Sequence, residues 1–176
     1  TSIIEAKGKN IETFLQNLIT NDIYKLSRIP LIYSATLTPQ GKFLYDFFLN
    51  KKKEVFYIET NTNEANDLIN YFKRFDIRND LLFEKKNNFI CKTKLYKYVN
   101  EDDKIHLTNK LYVNNEDYIC FLDPRVNNFL IRYWVNENKV DNYKKLLQSD
   151  NDEIEIERIK KCLPNSEIDL EKNKSF

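Results

Sequence analysis

The sequence predicts an α+β fold, on three observations. A helical apolar face is followed by a β-hairpin between Asn10 and Leu49. A second amphipathic helix begins near Ala65. From Leu81 onward, short β-branched and aromatic segments alternate with turn signals.

The first helix is read from Ile11, Phe14, Leu15, Leu18 and Ile19, which recur at helical spacing. Asn10 stands at the N-cap position and Glu12 in the first turn, where the helix dipole favours a negative charge. The helix is expected to end at Thr20-Asn21-Asp22. Beyond Pro30, Leu31, Tyr33, Ala35 and Leu37 share one face of a strand. Thr38-Pro39-Gln40-Gly41 suits a type I turn, with proline second and glycine fourth. The return strand, Phe43 to Leu49, is apolar on both faces except at Asp46. A carboxylate in such a run needs a partner or an opening to solvent, so Asp46 is the first pointer to function.

Residues 1–9 read as a strand or arm leading to Gly8, and Glu54 to Glu59 as a strand. Asn61 with Glu64 resembles a capping box before a helix with apolar positions Ala65, Leu68, Ile69, Phe72 and Phe75. Arg74 and Arg78 fall at or just past its last turn, where cations suit the dipole. Later strands are expected at 81–84, 89–98, 110–113, 118–122 and 129–135. Helices are expected at 140–147 and 154–162, the second ended by Pro164. The charged tail after Asp169 is expected to be loose. Pattern change alone sets domain boundaries near residues 50 and 138. Residues 51–138 are expected to form a ferredoxin-like antiparallel sheet-plus-helix subdomain, and 1–50 with 139–176 a discontinuous first domain.

The chain has 176 residues, enough for one large core or two small ones. Its 28 basic and 27 acidic residues nearly balance, which argues against nucleic acid or an anionic membrane as main partner. No apolar run is long enough to span a bilayer. The sequence contains no methionine, so Thr1 is not a natural start, and a longer precursor is expected. Cys91, Cys120 and Cys162 lack metal-type spacing and fit free thiols in a reducing compartment; Cys91 and Cys120 are expected in the core.

No catalytic motif assembles from first principles. His106 is the single histidine and reads as an exposed strand residue. The two glycines, Gly8 and Gly41, form no phosphate loop. Zinc would require paired cysteine or histidine spacing, so no metal site is expected. Three polar features remain, each with a structural alternative. Asn21-Asp22 also reads as a helix cap and turn. Asp46 could be paired with an arginine. Asp123-Pro124-Arg125 could be a turn with its arginine on the surface.

Taken in order, these short patterns resemble a known family. Gly8, Phe14-Leu15-Gln16, Thr20-Asn21-Asp22, Pro39-Gln40-Gly41-Lys42 and Asp46 look like the N-terminal signature of the YgfZ/GcvT folate-binding proteins. Phe72 to Arg78 resembles that family's helix ending in arginine. Asp123-Pro124-Arg125 with Arg132 resembles its Asp-Pro-Arg element, and Arg158-Ile159 with Pro164 the element after it. The similarity runs from Gly8 to Asp169. Asn17 and Leu130 stand where glycines are usual, and Cys162 and Asn165 replace Gly and Glu in the last turn. The chain stops before the family's Lys-Gly-Cys signature, so the resemblance implies a C-terminal domain absent from it.

The resemblance implies a GcvT/YgfZ-like fold. Its Asp-Pro-Arg and Pro-Gln-Gly elements lean toward the YgfZ branch. That branch implies an iron–sulfur cluster assembly factor for 4Fe–4S maturation, working with A-type scaffold proteins in the mitochondrial matrix after removal of a transit peptide. On this reading the chain is a binding module for tetrahydrofolate and not a catalyst by itself. Asn21, Asp22 and Asp46 are the pocket candidates. Arg78 and Arg125 serve anion contact or internal ion pairs. Without the C-terminal part, folate binding by this chain alone is expected to be weak. Two alternatives stay open: a folate-dependent aminomethyltransferase of the glycine cleavage system, and a non-catalytic interaction domain.

Overall fold

The computed structural model describes residues 1–99, 112–114 and 118–174. They divide into two units, Thr1–Asn87 with Asn165–Phe176, and Asn88–Pro164.

The first unit is built on an antiparallel sheet of β1 (Ser2–Gly8), β2 (Ile32–Leu37), β3 (Phe43–Lys52), β4 (Val55–Thr60) and β5 (Leu81–Lys86), ordered β2-β3-β4-β1-β5. Period-two alternation sends Ile4, Ala6, Ile32, Phe47, Leu49, Phe56 and Ile58 to one buried face. Helices α1 (Ile11–Gln16) and α2 (Ala65–Phe75) contribute Ile11, Leu15, Leu68, Ile69 and Phe72 to the same core. Phe72 stacks on Phe83 with ring centroids 5.4 Å apart and meets Phe47 edge-on at 6.1 Å. Each fully buried side chain of this size contributes about 1.5–3 kcal/mol of transfer free energy, so α2 is held by its apolar face rather than by its caps.

The opposite face of this sheet carries Tyr33, Asp46, Phe48 and Glu59. The register places Tyr33 beside Phe48 and Phe48 beside Glu59, while Asp46 sits opposite Ala35. The hairpin is closed as expected: Gly41 N donates to Thr38 O at 2.9 Å, with Gly41 at φ 78°. At the other end of the sheet, Gly8 pairs with Leu81 at φ 142°. A Cβ there would lie 2.5 Å from Asp80 O, which only glycine avoids.

The second unit has a sheet of β6 (Phe89–Leu95), β7 (Tyr112–Asn114), β8 (Tyr118–Leu122) and β9 (Leu130–Asn136), ordered β6-β9-β8-β7. β9 is central, and Leu130–Val135 is buried throughout. Cys120, Ile131, Tyr133, Val135 and Leu147 form one cluster, and Leu95, Phe129, Leu130 and Leu163 another. A 3-10 segment, Glu137–Tyr143, leads to a single helical turn, α3 (Lys144–Leu147). α4 (Asn151–Lys160) begins at Asp150, whose Oδ1 accepts from Glu153 N at 3.1 Å.

The α+β expectation holds. The divisions fall at 87/88 and 164/165, not near 50 and 138. The reason is pairing: β4 and β5 both hydrogen-bond to β1, on its two sides, so they and α2 belong to the first sheet. α1 is shorter than its apolar pattern suggests. Asn10 lies in the left-handed region (φ 63°) with no side-chain cap, a conformation asparagine tolerates. Past Gln16 the chain turns toward β2, where Thr20 N donates to Ala35 O at 2.9 Å. The Asn61–Glu64 capping box does not form. Asn61 Oδ1 instead accepts from Asn63 N at 3.1 Å. Cys120 is buried as expected, Cys91 only half-buried, and Cys162 exposed; none of the three is in a disulfide. The tail is not loose over 171–174. Asn173 N donates to Phe43 O at 2.8 Å and Phe43 N to Lys174 O at 3.1 Å. Lys172 Nζ lies 2.9 Å from Glu64 Oε1 and 4.1 Å from the Tyr45 ring centroid. His106 and the start of the strand expected at 110–113 lie outside the described residues.

Candidate functional site

β3 places Asp46 on the sheet face opposite the main core, where its residue is 8% exposed. Tyr33, on the neighbouring strand, reaches diagonally across the register and donates its hydroxyl to Asp46 Oδ2 at 2.7 Å. The Tyr33 ring leans on Phe48, its cross-strand partner, with centroids 5.2 Å apart. The Asp46 carbonyl accepts from Thr60 Oγ1 at 3.0 Å, so the backbone is pinned from the other side. Among the described residues Asp46 Oδ1 has no hydrogen-bond donor. The conflict seen in the sequence is thus half resolved: one carboxylate oxygen has a partner and the other is available.

Asn21 reaches the same place from the α1–β2 connection. Its Nδ2 donates to Tyr33 O at 2.8 Å, and its own N–H donates to Ser34 Oγ at 3.1 Å. Thr20 adds a bond from Ala35 N to its Oγ1 at 3.0 Å. These contacts clamp the connection along β2 for Thr20 to Asn21. Asn21 Oδ1 accepts from Asp22 N at 2.8 Å and Lys25 Nζ at 2.9 Å. Asp22 has a local role: its Oδ1 accepts from Tyr24 N at 2.9 Å and caps the 3-10 helix Ile23–Ser27. Asn21 and Asp46 are therefore joined through Tyr33, one at its carbonyl and one at its hydroxyl, while Asp22 faces its own turn. Tyr33 was legible only as a strand residue. Its role follows from the hairpin register, which puts residues 33 and 46 on one face.

Arg78 is exposed in the connection between α2 and β5. That connection is shaped by Asp76, whose carboxylate accepts from Leu81 N at 3.0 Å and Asp80 N at 3.3 Å.

Arg125 belongs to the second unit. Its Nε donates to Asp123 Oδ1 at 3.0 Å and its Nη2 to Asp123 Oδ2 at 2.8 Å, a bidentate pair. Its Nη1 donates to Pro164 O at 3.2 Å. Arg132 Nη1 donates to the same Asp123 Oδ2 at 3.2 Å. Of the two roles open to Arg125 in the sequence, the structure shows the internal ion pair. Burial pushes the Asp123 carboxyl up, but the Arg125 hydrogen bond and the Arg132 and Arg125 charges outweigh it, and the group sits below the usual carboxylate range.

The second unit also holds an open cleft of about 900 Å³, lined by Lys94, Tyr98, Lys145, Asp150 and Glu153 among others; none of the five residues named from sequence lines it. Among the described residues, no group of three His, Cys, Asp or Glu side chains is placed to hold a metal, and no helix is long and apolar enough to cross a membrane.

This architecture is an α+β fold of the aminomethyltransferase T kind. The crystal structure of glycine cleavage system aminomethyltransferase T from Bartonella henselae is similar at a TM-score of 0.62, covering 85% of this chain and 43% of that one at 12% identity. Over 63 residues the chain is 33% identical to an aminomethyltransferase of Alkaliphilus oremlandii (strain OhILAs), covering 35% of this chain and 17% of that protein. No known family profile matches the chain. It spans less than half the length of either relative.

Proposed function

We propose that this chain is the folate-binding part of a protein that carries out folate-dependent aminomethyl transfer, with Asp46 as the group that meets the folate. One observation carries the reading: Asp46 is a nearly buried carboxylate with one oxygen fixed by Tyr33 and the other uncommitted. A carboxylate in a low-dielectric wall seeks an N–H donor. Tetrahydrofolate, when bound, would supply the nitrogens that carry a one-carbon unit, one in its pterin ring and one just outside it. The resemblance to the YgfZ/GcvT family suggests this ligand class, and the likeness to two aminomethyltransferases suggests the reaction. In this reading Asp46 binds and orients a ring N–H and is placed to accept or return a proton at Oδ1. Asn21 holds the strand that positions it. Arg78 takes no part in this reading: the register sets it near Gly8 and Leu81, at the end of the sheet away from Asp46, which is tied to Thr60 opposite Ser2. The test is a one-carbon transfer assay on the full-length gene product and its Asp46→Asn variant. Activity that falls at least tenfold in the variant supports the reading; equal activity in both refutes it.

A second reading is 4Fe–4S maturation with A-type scaffold proteins in the mitochondrial matrix, with folate bound but no catalysis. The observation that favours it is Asp123-Pro124-Arg125, the element on which the resemblance leans to the YgfZ branch, formed here as a bidentate pair reinforced by Arg132. Restoration of 4Fe–4S enzyme activity in cells lacking the gene, together with no one-carbon transfer in vitro, would decide for it.

A further inference from the structure

We infer that Tyr33 is a positioning residue for the Asp46 carboxylate: its hydroxyl fixes the plane of the group and occupies one oxygen, Oδ2, so that the other, Oδ1, is presented to a ligand. The inference rests on the folate reading only for the identity of that ligand. Three observations support it. The Oη–Oδ2 separation of 2.7 Å is that of a well-formed O–H···O hydrogen bond. The phenol ring is itself fixed, by its tilted contact with Phe48 at 5.2 Å. The strand that carries it is fixed too, by Asn21 Nδ2 on Tyr33 O at 2.8 Å and by Thr20 Oγ1 on Ala35 N at 3.0 Å. The terminal torsion of an aspartate is broad, and the two oxygens of a carboxylate are equivalent. A donor on either oxygen fixes the plane of the group and leaves the other oxygen to face a ligand. Tyr33 supplies that donor from the adjacent strand, and the register of the hairpin makes the diagonal reach possible.

The experiment has two arms on the full-length gene product. In the first, the Asp46 carboxyl is labelled with 13C and its resonance compared between the wild type and Tyr33→Phe. Loss of the hydroxyl is expected to move and broaden it, with the remaining aspartate resonances unchanged. An unmoved resonance overturns the inference whatever binds. In the second, tetrahydrofolate is titrated calorimetrically into the wild type, Tyr33→Phe, Asp46→Ala and the double variant. Tyr33→Phe is expected to weaken binding on the order of tenfold, as for loss of a hydrogen bond to a charged group. The double variant is expected to bind like Asp46→Ala alone, because Tyr33 acts through the Asp46 carboxylate, which that substitution removes. Additive losses would overturn the inference. No binding to the wild type would refute the folate reading, and the resonance arm would then decide the positioning role by itself. Thermal unfolding of Tyr33→Phe separates either result from failure to fold.

Discussion

Arg132 Nη1 lies 3.2 Å from Asp123 Oδ2, and both side chains are almost wholly removed from water. The same carboxylate holds Arg125 at 2.8 Å. One acid thus answers two guanidiniums. Removing it leaves two positive charges in a desolvated place, which costs far more than the pair itself is worth.

Asp123→Asn is therefore expected to destabilise the second unit by about 3 kcal/mol at neutral pH. Urea unfolding followed through Trp134, buried in the same sheet, measures it. The sign of the pH dependence follows from the lowered carboxyl. Its contribution is complete above the unfolded value, about 3.9, and is lost as pH falls through the lower folded value. The gap between wild type and variant should hold at pH 5 and close in strong acid. A gap that widened on acidification would contradict the ion-pair account.

Gly8→Ala is expected to cost about 2 kcal/mol, because the new Cβ would stand 2.5 Å from Asp80 O at a φ of 142°. Gly41→Ala meets nothing within 4 Å and is strained only by its φ of 78°, so about 1 kcal/mol is expected there. Melting temperatures of the two variants test the order.

Lys172→Met removes the ammonium group from Glu64 and from the Tyr45 ring. The contacts are part-exposed, so less than about 1 kcal/mol should be lost. Hydrogen exchange is the sharper readout. The Phe43 amide, bonded to Lys174 O, should exchange faster, while amides at the β1–β4 pairing should not.

Much of this fold was legible because its signals are local. The hairpin turn, the face of α2 and the strand at 118–122 follow from proline and glycine placement, helical spacing and aromatic runs. The domain division was not legible, since strand pairing is a long-range matter. Nothing local in Val55–Thr60 or Leu81–Lys86 says that both will flank β1. The site was legible in part for the same reason. Asp46 announced itself as a charge in an apolar strand, and Asn21 as a polar residue beyond a helix. Tyr33, which joins them, carries no local signal. Arg125 was left with two roles because its partner, Asp123, lies two residues away, a spacing that a turn and an ion pair share.

The most direct test of the central claim is calorimetric titration of tetrahydrofolate into the full-length gene product and its Asp46→Asn variant. The variant keeps the side-chain shape and an acceptor for Tyr33, so both proteins should melt within a few degrees of each other. The account predicts saturable binding to the wild type and at least tenfold weaker binding to the variant. Equal affinities, or no heat of binding to a folded wild type, would contradict it.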